Sequence, residues 1–142
     1  MDNLINLQEL NFDCEFSQPI DNVLIVLKNL KKLSLSYDFD KEIILPPNIK
    51  ILSIACNNQN LMDSLPNTIE ILEFQEWFDI PMDNLPNSIK KITIYYCTDI
   101  IYSHELNNLP RSLELLELPI NYKLPIKNIP ENCKIVYHNN ES

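Results

Sequence analysis

The apolar residues of this chain return to one short phrase. Anchors at Ile49, Ile69, Ile89, Leu113 and Cys133 are followed three residues on by Leu52, Leu72, Ile92, Leu116 and Val136. Two residues further come Ile54, Phe74, Ile94 and Leu118, and then, against the rule, His138. The closing part of the phrase alternates apolar with outward positions, which puts two side chains on one face of a short strand. A helix would carry the stripe on to later turns, but here each stretch is cut by Pro and Asn. A Leu-Pro or Ile-Pro pair opens five of the phrases, at Leu45, Leu65, Leu85, Leu109 and Ile129, at intervals of 20, 20, 24 and 20 residues. Two earlier units lack the Pro but keep the rest, with strands ending in Leu10-x-Phe12 and Leu33-x-Leu35.

Seven repeats therefore cover residues 1–142 as a single domain, with no composition shift that would mark a linker. A fixed period of about 20–29 residues is the signature of a leucine-rich repeat solenoid, in which a unit buries its apolar side only by stacking on its neighbours. The expected architecture is a short right-handed superhelix with a parallel β-sheet on its concave face and irregular or 3-10 return segments.

The return half of each unit repeats as well. Phe16-Ser-Gln-Pro-Ile20, Phe39-Asp-Lys-Glu-Ile43, Asn57-Asn-Gln-Asn-Leu61, Phe78-Asp-Ile-Pro-Met82, Tyr102-Ser-His-Glu-Leu106 and Tyr122-Lys-Leu-Pro-Ile126 all stand in phase with the strands. With the Leu-Pro pair and its strand, this motif resembles the FNIP repeat, a leucine-rich-repeat variant of amoebal proteins and of giant viruses that infect amoebae. The resemblance spans roughly residues 4–138. It implies an interaction scaffold in the cytoplasm, the host cytoplasm if the source is viral. Members of that family often carry an F-box ahead of the repeats, which implies substrate reception for a ubiquitin ligase. The first repeat here starts at about Leu4, so the expectation is a chain without an F-box. The alternative role the resemblance implies is an adaptor working with a separate F-box or cullin-type subunit. A weaker resemblance, at Leu45-Pro-Pro-Asn-Ile-Lys-Ile-Leu, is to the LPX-type repeats of bacterial effectors.

Composition removes several classes of function. Glycine is absent from all 142 residues, and glycine-rich phosphate loops depend on backbone that only Gly provides. The bends are then expected from Asn and Asp, which tolerate left-handed conformations. A formal charge of −9 repels a phosphate backbone, so nucleic acid is not an expected partner. No apolar run reaches the length of a membrane span, and Met1-Asp-Asn-Leu lacks the layout of a signal peptide. The four cysteines have no C-x-x-C pairing. Cys14 and Cys56 sit at one point of units two repeats apart, about 10 Å by strand spacing, too far for a disulfide. Reduced thiols in the cytosol are expected.

No catalytic constellation is legible. His104 and His138 are the two histidines. Adjacent His104 and Glu105 on an extended segment point opposite ways, and Ser34, Ser36 and Ser53 have no histidine near to activate them. No cofactor or metal is expected, and the chain reads as a non-enzyme.

A protein partner is expected on the outward residues of the sheet, which form three columns. The first is Glu9, Lys32, Ile51, Ile71, Lys91, Leu115 and Ile135. The second is Asn11, Ser34, Ser53, Glu73, Thr93, Glu117 and Tyr137, and the third is Asp13, Ser36, Ala55, Gln75, Tyr95, Pro119 and Asn139. Large apolar side chains at Ile51, Ile71, Leu115 and Ile135 on a solvated face mark a protein-contact patch, with Tyr95 and Tyr137 as anchors. The binding residues expected are thus Lys32, Ile51, Ser53, Ile71, Glu73, Gln75, Lys91, Thr93, Tyr95, Leu115, Glu117, Ile135 and Tyr137. Trp77 stands at a turn position, and a longer fifth unit around Thr98-Asp99-Ile100-Ile101 forms a rim loop. Solenoid ends without cap domains expose strand edges, so self-association is also expected.

Overall fold

A computed structural model describes residues 4–96 and 101–139. Seven strands form one parallel sheet in sequence order, the edge of a repeat solenoid of about six turns. They are β1 (Glu9–Asn11), β2 (Lys32–Leu35), β3 (Ile51–Ile54), β4 (Ile71–Phe74), β5 (Lys91–Ile94), β6 (Leu115–Pro119) and β7 (Lys134–His138). The return segments are mostly irregular, with two short helices, α1 (Asp21–Leu24) and α2 (Gln59–Asp63), and a 3-10 turn at Leu4–Asn6. Cys97 and the insertion at Thr98, Asp99 and Ile100 lie outside the described residues.

The repeated Leu-Pro pair has a local cause. The carbonyls of Pro46, Pro66, Pro86, Pro110 and Pro130 each accept a bond from the amide of the anchor three residues on. Each proline is thus the first residue of a tight turn that aims the chain into the next strand. Beyond the turn, two side chains of each strand face inward. Leu33, Leu52, Leu72, Ile92 and Leu116 form one inner row, and Leu35, Ile54, Phe74, Ile94 and Leu118 the next, all buried. Against them pack Ile20, Leu24, Leu61, Met82 and Leu106 from the return side. The aromatic residues of the return motif stack along the solenoid. Phe78 lies 6.1 Å from Tyr102 and Tyr102 6.3 Å from Tyr122, ring centre to ring centre. The Tyr102 hydroxyl donates to the Ile80 carbonyl at 2.9 Å, and the Tyr122 hydroxyl to the His104 carbonyl at 2.9 Å. In the third unit, where no aromatic stands, the Asn58 side chain accepts from the Leu61 amide at 3.1 Å and caps α2.

Two expectations are corrected. Only Glu15 (φ 78°) and Asn128 (φ 54°) adopt left-handed backbone among the described residues, so the bends are not generally made by left-handed Asn and Asp. Asparagine acts through its side chain instead. The side-chain amides of Asn29, Asn48 and Asn128 donate to the carbonyls of Ile5, Lys28 and Asn107 in the preceding unit. Ser88 and Ser112 do the same to Ile69 and Ile89, both at 2.7 Å.

The second correction is the register of the last strand. Its turn is regular, with the Cys133 amide bonded to Pro130, but the strand begins one residue early. Lys134 pairs with Leu115, Ile135 with Leu116, Val136 with Glu117, Tyr137 with Leu118 and His138 with Pro119. A slip of one residue moves every side chain to the opposite face. Ile135 therefore packs on the core rather than outward, and Lys134 and Val136 take the outward places assigned to Ile135 and Tyr137. The alternation of Ile135 with Tyr137 competes with that of Val136 with His138. The observed register wins because the other would turn an imidazole toward buried Leu118.

The same slip lets His138 solve a problem set by Pro119. In the neighbouring ladders the amides of Ala55, Gln75 and Tyr95 donate to Leu35, Ile54 and Phe74. The next donor in that series would be Pro119, which has no N–H. The Ile94 carbonyl accepts instead from Nε2 of His138 at 3.1 Å.

Candidate interaction face

The outward face of the sheet is built by strand alternation, and its rows follow from register. Lys32, Ile51, Ile71, Lys91 and Leu115 stand side by side on successive strands, and all five are half-buried. The apolar pair Ile51–Ile71 is thus flanked by two lysines. Each lysine is tied down. Lys32 Nζ lies 3.6 Å from Glu9 Oε1, and Lys91 Nζ 2.9 Å from Glu117 Oε1. The hydrogen bond from Lys91 to Glu117 raises the lysine pKa. Partial burial pushes the Glu117 carboxyl upward, but Lys91 and the Thr93 hydroxyl outweigh it and leave its pKa below the usual range.

The second row is less open than its sequence implies. Ser53 and Thr93 point outward yet are only 5% and 1% exposed, because longer neighbours cover them. Gln75 Nε2 donates to Ser53 Oγ at 2.9 Å, and Thr93 Oγ1 to Glu117 Oε2 at 3.2 Å. Both hydroxyls are floor rather than contact points, while Glu73, Gln75 and Glu117 remain half-buried at the surface. Tyr95 is exposed, its ring 5.8 Å from that of His138. Tyr137 is exposed too, but it sits opposite Leu118 and lines a recess with Ile120, Tyr122 and Leu124, away from Tyr95. The face thus unites Lys32, Ile51, Ile71, Lys91, Tyr95 and Leu115, and leaves out Ile135 and Tyr137.

Sequence reasoning missed one part of this face. The rings of Tyr37 and Trp77, two units apart, lie 5.8 Å from each other, and both are about half exposed. They wall one side of a groove of about 450 Å³ whose lining includes Asp13, Ser34, Ser36, Ala55 and Glu76. The signal lay in the third unit, where the small side chain of Ala55 lines the groove that the two aromatics wall.

Elsewhere the polar groups act as struts. His104 Nε2 lies 3.2 Å from the Asp79 carbonyl oxygen and 3.5 Å from Asp79 Oδ1, so its neighbour is Asp79 and not Glu105. Ser103 Oγ donates to the same carboxylate at 2.8 Å. Its proton is directed at the carboxylate and not at the imidazole, unlike an activated nucleophile. Among the described residues no group of three or more His, Cys, Asp or Glu could hold a metal ion, and no helix is long and apolar enough to cross a membrane. Cys14 is exposed, Cys56 buried and Cys133 partly buried, all as free thiols. The architecture places the chain among repeat solenoids. Comparison with protein families, curated proteins and solved structures gave no match.

Proposed function

We propose that this chain is a non-enzymatic scaffold of the leucine-rich-repeat type, its units related to the FNIP repeat, which binds a partner protein through the outward face of its sheet. The observation that carries the reading is the half-buried pair Ile51 and Ile71, held in register between ion-paired Lys32 and Lys91, with Leu115 beyond Lys91 and exposed Tyr95 beside the row. Isoleucine left partly solvated at the centre of a polar face gains by being covered, at roughly 25 cal/mol per Å² of apolar surface. Covered by a partner, the row forms the dry centre of an interface and the Lys–Glu pairs its polar rim.

The test is a paired substitution, Ile71→Glu with Tyr95→Glu, in a bait used for crosslinking and affinity capture from amoebal cells. The expected result is loss of the captured partner with an unchanged circular dichroism spectrum. A partner retained in full by the doubly charged bait refutes the reading. Cullin-type ligase components among the captured proteins would favour an adaptor role for the same face.

A further inference from the structure

Exposed aromatic side chains on the described residues are few, and two of them meet. Tyr37 and Trp77 are tilted by 37° with ring centres 5.8 Å apart. A ligand plane needs about 3.5 Å on each side, so nothing enters between rings that close. The ring surface left for stacking is the part that borders the groove. The groove floor is made of short side chains, Ser34, Ser36, Ser53 and Ala55. Their polar atoms are partly satisfied already, since Ser36 Oγ donates to the Phe16 carbonyl and Ser53 accepts from Gln75. The floor lets a chain approach closely and asks it for few hydrogen bonds.

Charge decides what approaches. The lining holds the carboxylates of Asp13 and Glu76 and no Lys, Arg or His. Asp38 and Glu15 stand beside it, joined by a bond from the Glu15 amide to Asp38 Oδ2 at 3.2 Å. On the rest of the face Glu9 is paired with Lys32 and Glu117 with Lys91, leaving Glu73 as the carboxylate there outside an ion pair among the described residues. No ion pair among the described residues involves Asp13, Glu15, Asp38 or Glu76. The negative field is felt by Tyr37, whose hydroxyl is held above its usual pKa first by the Asp38 charge, then by its hydrogen bond to Asp38, then by partial desolvation, with smaller contributions from Cys14 and Glu15.

We propose that this groove receives an arginine-bearing segment of the partner protein, with the guanidinium stacked on the Tyr37–Trp77 pair and its N–H groups directed at Asp13 and Glu76. Arginine fits better than lysine because its planar head stacks on an aromatic face while still donating bidentately to a carboxylate. An acidic segment is repelled by the same carboxylates. The proposal rests on the scaffold reading above and supplies the chemistry of its partner.

Trp77 is the sole tryptophan of the chain, so its emission reports occupancy directly. The probe is the peptide acetyl-Ala-Arg-Ala-Arg-Ala-amide, titrated into the full chain alongside lysine and glutamate versions of equal length. The arginine peptide is expected to give a saturable change in emission, the lysine peptide a weaker one and the glutamate peptide none. Affinity should fall about tenfold in the Asp13→Asn, Glu76→Gln double variant, the equivalent of about 1.4 kcal/mol. For the Tyr37→Ala variant a comparable loss is expected. No saturable response to arginine, or an equal response in the charge-neutral variant, overturns the proposal. If the peptide gives no response while Ile71→Glu with Tyr95→Glu still abolishes partner capture, the groove assignment falls and the face reading stands.

Discussion

His138 is placed to do for Pro119 what a backbone amide does in the neighbouring ladders, and a double-mutant cycle measures it. Replacing His138 by Ala leaves the Ile94 carbonyl without its 3.1 Å donor. Ile94 is only 2% exposed, so water replaces that donor poorly. A buried acceptor left unpaired costs about 1–3 kcal/mol. His138 is itself partly exposed and near the end of the sheet, which places the expected loss in the lower half, about 1–2 kcal/mol. Replacing Pro119 by Ala restores an N–H on the strand next to that carbonyl. Against that gain stands the greater freedom of the unfolded chain without proline, about 0.4–1 kcal/mol, so Pro119→Ala alone is expected to be close to neutral. In the Pro119→Ala background, His138→Ala should cost about 0.5 kcal/mol or less, because the carbonyl keeps a partner and only the ring contact with Tyr95 is lost. The coupling energy is therefore about 1 kcal/mol. Urea unfolding followed by circular dichroism and by Trp77 emission supplies the four stabilities, and coincident transitions validate two-state treatment for a repeat array. Equal costs of His138→Ala in both backgrounds would falsify the substitution of side chain for backbone.

Three further outcomes follow from the return side and the core. Tyr102→Phe removes the hydroxyl that donates to Ile80 at 2.9 Å and leaves the ring stack in place, so urea unfolding should show a loss of about 1–2 kcal/mol with little change in m. Burial pushes the Cys56 thiol up to about 11, so in native protein at pH 8 iodoacetamide should label exposed Cys14 long before Cys56, as read by peptide mass spectrometry. Because the folded value is raised, the stability contributed by the neutral Cys56 thiol is complete below its ordinary value of 9.0 and is lost as pH climbs toward about 11. A Cys56→Ala variant should show a flatter loss of stability across that window.

Seven strands, their phase and the two inner rows were legible because period-2 alternation, recurring at a fixed interval, overdetermines them. The last register was not. Cys133-x-x-Val136 and Ile135-x-Tyr137 both satisfy an apolar pattern, and only the expulsion of His138 from the core separates them. Half of the face was legible for a related reason. Row membership follows from register, so Ile51, Ile71 and Leu115 fall where spacing puts them. Exposure does not, because Ser53 and Thr93 are covered by the side chains of other units. The Tyr37–Trp77 contact skips a whole unit, and its one signal, the small Ala55 of the unit between, carries no weight when units are compared only with their nearest neighbours. Asparagine was misjudged because it was expected to act through left-handed backbone at the bends, whereas Asn29, Asn48 and Asn128 act through side-chain donation across the repeat boundary.

That donation has a consequence for how such a chain changes over time. Asn29, Asn48, Asn128, Ser88 and Ser112 all reach a main-chain carbonyl of the unit before them. A carbonyl is the same whatever residue carries it, so at five of the six junctions a unit grips its predecessor without reading its side chains. Units joined in this way can be copied, deleted or exchanged whole, with no compensating substitution needed at that part of the junction. The outward positions are then free to drift independently in each copy, and the array can acquire a new binding surface while its joints stay unchanged.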